Sequence, residues 1–231
     1  MLQLFENYRN LLNSLWVVIC TIMVLLSNVG YMMKETGSIK MENNNVVLLK
    51  TILVVSVSTM TFFFAGFGFS IRANGGLFGE DNFFGMNYQY QDYLNFIFYV
   101  SLSVKMAVIA TGSIAERSTL STYVFFSFLN SGLIFPVGLA WCWNDGWLQN
   151  LGFIDFGGAS LVHIMGGISG FIGTVIIGPR IGLFHPETTL SYILDEDEDM
   201  SDSDFILNKK DESSAEKKID GLKRENSVSL E

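Results

Sequence analysis

Five apolar stretches, each long enough to cross a lipid bilayer as a helix, dominate the sequence. Apolar residues make up 49% of the chain and charged residues only 16%, which is too little charge to cover a soluble domain of this length. A hydrocarbon core of about 30 Å requires roughly 20 helical residues, whereas membrane-barrel strands need about 10. The stretches do not alternate with polar residues, so they predict an all-α membrane protein. Its helices are expected near 14–33, 46–71, 93–114, 120–143 and 158–177.

Basic residues near the ends of these segments predict the orientation of the chain. One side of the membrane would collect Lys34, Lys40, Lys50, Arg117 and Arg180, and the other side only Arg9 and Arg72. Cytosolic loops of membrane proteins carry an excess of lysine and arginine. We therefore expect the N-terminus outside and the C-terminal tail in the cytosol.

The chain divides into a membrane domain, 1–185, and a polar tail, 186–231. Residues 195–231 carry 13 acidic and 6 basic side chains, a balance of −7 within a net charge of −9. This composition predicts an acidic, disordered cytosolic tail. The remainder is nearly neutral and has no basic patch, so no nucleic-acid partner is expected.

Two ionisable residues near the fifth segment are candidates for function. His163 lies inside the segment and Asp155 eight residues before it, and ionisable groups in a bilayer are costly. Helical spacing places Ser160 and Gly167 on the face of His163. The alternative is a histidine that only hydrogen-bonds a neighbouring helix. Gly166 and Gly170, followed by Gly173, have the small-residue spacing typical of close helix packing.

Lys105 is the least expected residue of the third segment, because its amine lies far from either interface. Helical spacing puts it on one stripe with Phe98, Leu102 and Ile109. A buried amine needs a partner, a cavity or the loss of its proton. Asp155 and Glu35 are candidate partners. Trp143, at the end of the fourth segment, is either an interfacial anchor or an electron-rich face for a cation.

Four stretches resemble the ammonium transporter (Amt/Rh) family in order and spacing. GSIAER, 112–117, is similar to the end of that family's third helix, and WCWNDGWL, 141–148, to the outer end of its fourth. FIDFGGASLVHIMGGISGFIGTVIIGPRIG, 153–182, resembles the loop and fifth helix. VGYMMKETGSIKMENNNVVLLK, 29–50, resembles the turn into the second helix. Together they cover about 13–186, the N-terminal half of the family fold and one of its two inverted repeats.

The resemblance implies a role for each matching residue. Trp143 would be the aromatic cage residue of an outer ammonium-recruitment site, and Asp155 the carboxylate that organises it. Phe98 would belong to the gate below, and His163 would be the first of two pore histidines that relay a proton while ammonia crosses separately. Neutral ammonia passes an apolar pore at far lower cost than a desolvated cation. The family assembles as a trimer, and its substrate is ammonium.

The chain also departs from the family pattern. Leu102 stands where a second gate phenylalanine is usual, and Lys105 where a small or apolar residue is usual. Transport sites form between two inverted halves, and only the first is recognisable here. Two interpretations therefore stay open: a truncated or split ammonium transporter, and a non-conducting subunit that regulates or inhibits full-length transporters.

Other classes of function have little support in the sequence. No nucleophile arrangement, cofactor-binding loop or metal-ligand spacing accompanies the two histidines and two cysteines. We therefore expect neither a resident metal nor a cofactor, and a transporter rather than an enzyme. The expected location is the plasma membrane, with the lipid bilayer and other subunits as partners.

Overall fold

The computed structural model describes residues 1–39, 43–71, 77–79 and 82–179. These residues form five helices long and apolar enough to cross a membrane, and no strand. The all-α prediction with five spans is confirmed. The predicted acidic tail lies outside the described residues, as do Lys40, Arg72 and Arg180. The orientation of the chain remains a prediction.

The five spans follow one another along the chain with short connections. They are α1 (Leu2–Thr36), α2 (Asn44–Ser70), α3 (Tyr90–Gly112), α4 (residues 120–142) and α5 (Ala159–Ile177). A single helical turn, Trp147–Asn150, connects α4 to α5. α3 occupies the centre, where it packs against α1, α2 and α5.

α1 begins well before the apolar stretch that predicted it, at Leu2 rather than near residue 14. Glu6 and Arg9 interrupt the apolar pattern there, but charged residues are good helix formers and do not end a helix. Most of the apolar side chains of α1 are exposed, including Leu12 and Trp16. Such an apolar surface is suited to contact with lipid or with further helices.

Two apolar clusters hold α2, α3 and α4 together. We call the first the aromatic cluster; it contains Phe62, Phe67, Phe96 and Phe135, whose rings lie 5.5–6.2 Å apart in the paired contacts. We call the second the valine cluster; it contains Val54, Val104, Ala107, Val108 and Tyr123. Each cluster contains residues from α2, α3 and α4. The three helices are therefore in contact both at the aromatic cluster and at the valine cluster.

Three of the helical segments widen locally into π-helix. They are Phe62–Gly66 in α2, Asn130–Ile134 in α4 and Ala159–Ile164 at the start of α5. Such segments are rare and are found frequently at functional sites. The third contains His163, so a regular α-helical projection from the sequence does not describe the start of α5.

A buried ion pair joins α1 to α2. The Lys50 ammonium pairs with the Glu35 carboxylate, and the two side chains are only 1% and 9% exposed. The Lys50 Nζ also lies 5.2 Å from the centre of the Tyr123 ring on α4. Lys50 is therefore part of the helix bundle and not one of the loop charges that the positive-inside pattern predicts.

The glycines of α5 allow it to approach α3 closely, as their spacing predicts. A Cβ atom at Gly166 would lie 3.2 Å from the backbone oxygen of Met106, and one at Gly173 would lie 3.0 Å from Ile114 Cγ2. A Cβ atom at Gly167 would meet nothing within 4 Å. The α3 contact therefore depends on one edge of α5 only.

Leucine at Gly166 is expected to destabilise the protein by about 1–3 kcal/mol, the usual cost of overpacking a close contact. Leucine at Gly167 is the matched control, because the same gain in helix propensity occurs there in open space. Thermal unfolding of both variants in detergent micelles measures the difference. Equal melting temperatures for the two variants would contradict the packing shown by the structure.

Candidate functional site

The loop between α4 and α5 brings Trp143 and Asp155 together. The Trp143 Nε1–H donates a hydrogen bond to Asp155 Oδ2 at 3.1 Å. The other carboxylate oxygen, Oδ1, accepts a hydrogen bond from the backbone N–H of Ser160 at 2.7 Å. Asp155 is half-buried, and both of its oxygens are engaged. The carboxylate therefore fixes the indole ring relative to the start of α5.

The local backbone explains why Asp155 stands at this position. Gly158 precedes the first turn of α5 with φ +77°, a conformation that glycine adopts without steric cost. The chain can then turn back so that Asp155 accepts from an N–H group at the N-terminus of α5. A negative charge at a helix N-terminus is favourable, because the backbone N–H groups there carry partial positive charge.

Aromatic rings from α3 complete the surroundings of Trp143. The Phe98 ring stacks on the Trp143 ring with an interplanar angle of 10° and centres 6.4 Å apart. Tyr99 lies on the same indole with ring centres 6.1 Å apart. Its hydroxyl donates to Asn144 Oδ1 at 3.1 Å. Three aromatic faces and one carboxylate thus lie within one small region.

His163 lies on a part of α5 that the described residues leave uncovered. The side chain is exposed and has no hydrogen-bond partner in the described ranges. Further along α5, five large apolar side chains are also exposed: Ile164, Ile168, Phe171, Val175 and Ile176. We call the exposed side chains of α5, His163 among them, the open face of α5. With 3.6 residues per turn, the apolar strip lies beside the imidazole and not in line with it, and nothing else in the described bundle covers either.

The structure separates Leu102 from Lys105. Leu102 is 5% exposed and packs in the core beside Leu161 and Val162. Lys105 is half-buried, and its Nζ lies 5.8 Å from the centre of the Tyr31 ring on α1. Within the described residues it forms no ion pair.

Neither carboxylate considered as a partner of Lys105 from the sequence is paired with it. Asp155 accepts from Trp143 and Ser160, and Glu35 pairs with Lys50. The Lys105 amine therefore has an aromatic neighbour instead of a counter-charge, a cation–π arrangement worth about 0.5–2 kcal/mol.

The sequence did not single out Tyr99 or Asn144 as members of the site. Both are adjacent in sequence to a residue that it did identify, Phe98 and Trp143 respectively. Their position could have indicated them, because polar or aromatic residues next to a candidate cage residue at the end of a span often hold that residue in place. Their hydrogen bond spans 45 residues, however, and local spacing does not reveal such a contact.

The site offers hydrogen-bond acceptors and aromatic faces rather than a metal-ligand set. Within the described residues no group of three or more His, Cys, Asp or Glu side chains could hold a metal ion. A carboxylate beside aromatic faces can attract a small cation.

Comparisons with known proteins point to one family. A family model described as Ammonium Transporter Family matches residues 15–194. The chain is 32% identical over 180 residues to "Ammonium transporter 3" of Dictyostelium discoideum, covering 77% of this chain and 41% of that protein. It is 31% identical over 191 residues to "Ammonium transporter 1 member 3" of Solanum lycopersicum, covering 75% and 40%.

A solved structure is similar as well. The protein titled "Sensor Amt Protein" has a TM-score of 0.74 and 33% sequence identity, and the match covers 79% of this chain and 48% of that one. The chain therefore spans about half the length of this relative. It spans about two fifths of the curated relatives that it matches.

Proposed function

The chain belongs to the ammonium transporter family, and from this premise we propose that it supplies the outer recruitment site and the first half of an ammonium pore. The single observation that carries the proposal is the group formed by Trp143, Asp155 and Phe98. Stacked aromatic faces attract a cation through their negative π-faces, and the half-buried carboxylate adds a full negative charge. The relatives are named ammonium transporters, which supports ammonium as the cation.

The passage beyond the recruitment site follows the open face of α5. Ammonium gives up a proton there, because an apolar wall such as Ile164 and Ile168 disfavours a bare cation far more than neutral ammonia. The exposed imidazole of His163 accepts the proton and passes it to a second acceptor that the covering helices would supply. Ammonia then moves along the apolar surface.

The open face needs a cover before it can form a pore. An exposed strip of Phe171, Val175 and Ile176 beside His163 would otherwise lie against lipid, and a lipid-filled face does not pass a hydrophilic solute. We propose that helices beyond the five described spans cover it, from a second polypeptide or a longer product. Transport sites commonly form between two repeats. The assembly is proposed to be a trimer in the plasma membrane.

Co-expression tests this proposal. The chain and the part of Dictyostelium "Ammonium transporter 3" that the match leaves out are expressed separately and together in cells without ammonium transporters. Uptake of labelled methylammonium is expected only when both are present. If membrane insertion of both is verified and the pair still takes up nothing, while an intact relative does, the proposal fails.

One observation favours a second candidate, a non-conducting subunit that inhibits full-length transporters. Lys105 holds an amine against Tyr31 of α1, without a counter-charge among the described residues. A fixed cation inside the bundle repels a transported one that passes near it. Co-expression with a full-length relative would then reduce its uptake, and Lys105→Met would relieve the reduction. Unchanged uptake beside the full-length protein would exclude this candidate.

A further inference from the structure

A layer of buried polar side chains lies inside the bundle, separate from Trp143, Asp155 and His163. Five side-chain atoms in it have no hydrogen-bond partner in the described part of the chain: Ser58 Oγ, Ser103 Oγ, Ser127 Oγ, Asn130 Oδ1 and Ser131 Oγ. Each of these residues is 0–1% exposed. We call this group the polar layer.

On α2, the polar layer lies between the two apolar clusters. Ser58 is one turn beyond Val54 of the valine cluster and one turn before Phe62 of the aromatic cluster. α3 follows the same order, because Ser103 lies one turn from Ala107 and two turns from Phe96.

On α4, the layer again separates the same two clusters. Ser127 follows Tyr123 by one turn, and Ser131 precedes Phe135 by one turn. Beside the layer α2 and α4 are in close contact: a Cβ atom at Gly66 would lie 2.6 Å from the Ser131 backbone oxygen. The residues of the polar layer therefore lie between the two clusters along α2, α3 and α4, and all are buried within the bundle.

The serine hydroxyls of the layer are not bonded to carbonyls of their own helices. Other hydroxyls in the spans donate to a carbonyl three or four residues earlier, as Ser56 does to Ile52 at 2.9 Å and Thr111 does to Ala107 at 2.8 Å. The four serines of the layer make no such bond. The four hydroxyl groups therefore remain available to a ligand.

The layer needs a ligand, because an unsatisfied polar group in the hydrocarbon region costs several kcal/mol. Its serines are much smaller than Phe62 and Phe135, which occupy the next turns of the same helices in the aromatic cluster. The π-helical turn Asn130–Ile134 widens α4 at the same level.

We propose that the polar layer is an internal binding site for one or more small neutral molecules that both donate and accept hydrogen bonds, that is, water or ammonia. A buried molecule of this kind needs two to four polar partners, and the layer provides five. The layer itself contains no charged side chain, so a cation there would have no counter-charge within the layer. This site does not depend on the proposed ammonium pore.

Alanine substitution tests the site in the full chain, reconstituted in lipid nanodiscs. Ser58→Ala removes one partner of the bound molecule, so the melting temperature is expected to fall by about 3 °C or more. Ser56→Ala on the same helix is the matched control, because that hydroxyl is exposed and already bonded to its own helix. Equal melting temperatures for the two variants would overturn the proposal.

A double-mutant cycle shows whether the partners share one ligand. If Ser58 and Ser127 bind the same molecule, combining Ser58→Ala with Ser127→Ala lowers the melting temperature by clearly less than the two single shifts together. Additive shifts would overturn a shared ligand. Should a variant fail to fold, an experimental map of the wild-type protein decides: density within about 3.2 Å of at least two layer atoms supports the site. Serines bonded to their own helix carbonyls, with no such density, overturn it.

Mass action distinguishes ammonia from water. At alkaline pH and constant ionic strength, ammonium chloride replaces sodium chloride in the melting experiment. Ammonia in the layer raises the melting temperature of the wild type with concentration and has little effect on Ser58→Ala. An unchanged wild-type melting temperature, combined with the Ser58→Ala effect, identifies water.

Discussion

Replacement of Lys50 by methionine is expected to destabilise the protein by about 3–5 kcal/mol, the usual cost of removing one partner of a buried ion pair. The Glu35 carboxylate, 9% exposed, would be left in an apolar surrounding without the ammonium that pairs with it. The same substitution also removes the amine that lies over the Tyr123 ring. Chemical denaturation in mixed micelles measures the loss.

Two further variants distinguish the loss of the ion pair from the general effect of replacing a lysine by methionine. Lys34→Met makes the same chemical change at an exposed position one residue before Glu35 and is expected to be nearly neutral. Combining Lys50→Met with Glu35→Leu is expected to recover much of the loss, because an apolar pair of similar volume needs no counter-charge. A double variant no more stable than Lys50→Met alone would contradict this account of the contact.

Asp155→Asn is expected to reduce methylammonium uptake roughly 10- to 100-fold in the co-expressed assembly, since a hydrogen bond to a charged group contributes about 1.5–3 kcal/mol. The carboxylate now accepts from both the Trp143 indole and the Ser160 backbone. An amide retains only one of these acceptor positions, because its NH₂ group donates. The substitution also removes the charge that would attract the cation.

Asp145→Asn is the matched control for that experiment. It makes the same chemical change in the same loop, at an exposed residue with φ +56°, a conformation that asparagine tolerates well. Its uptake should equal that of the unmodified chain. If Asp145→Asn and Asp155→Asn reduce uptake equally, Asp155 has no special role in recruitment.

The sequence predicted the number and type of the spans because hydropathy is a local property. Five apolar stretches of sufficient length and without alternation leave little choice other than five membrane helices. The ends of the helices were harder to predict from the sequence. α1 continues past Arg9 and Glu6 to Leu2, because a charge near the interface ends the apolar stretch without ending the helix.

Features that depend on contacts between helices were not predictable from spacing. Lys50 was counted with the loops, although Glu35 holds it inside the bundle. The π-helical turns, including the one that carries His163, arise from packing and have no known local signature in this sequence. The polar layer needed the register of three helices, which only the structure provides.

The candidate site was predictable mainly through the family resemblance. That resemblance named Trp143, Asp155 and Phe98, and the structure places both Asp155 and Phe98 in contact with Trp143. The roles assigned to them and to His163 remain predictions, and so do the trimer and the plasma membrane. Tyr99, which lies against the Trp143 ring, was found only from the structure.

The central claim is that this chain carries the recruitment site, whereas the pore forms only when further helices cover the open face of α5. Growth on limiting ammonium tests this claim most directly. The chain is expressed alone in cells that lack ammonium transporters, with membrane insertion verified by labelling of an added cysteine. We predict no growth from the chain alone and growth when the complementary part of a relative is co-expressed. Growth supported by the chain alone would contradict the claim, because it would mean that the described helices already enclose a pore.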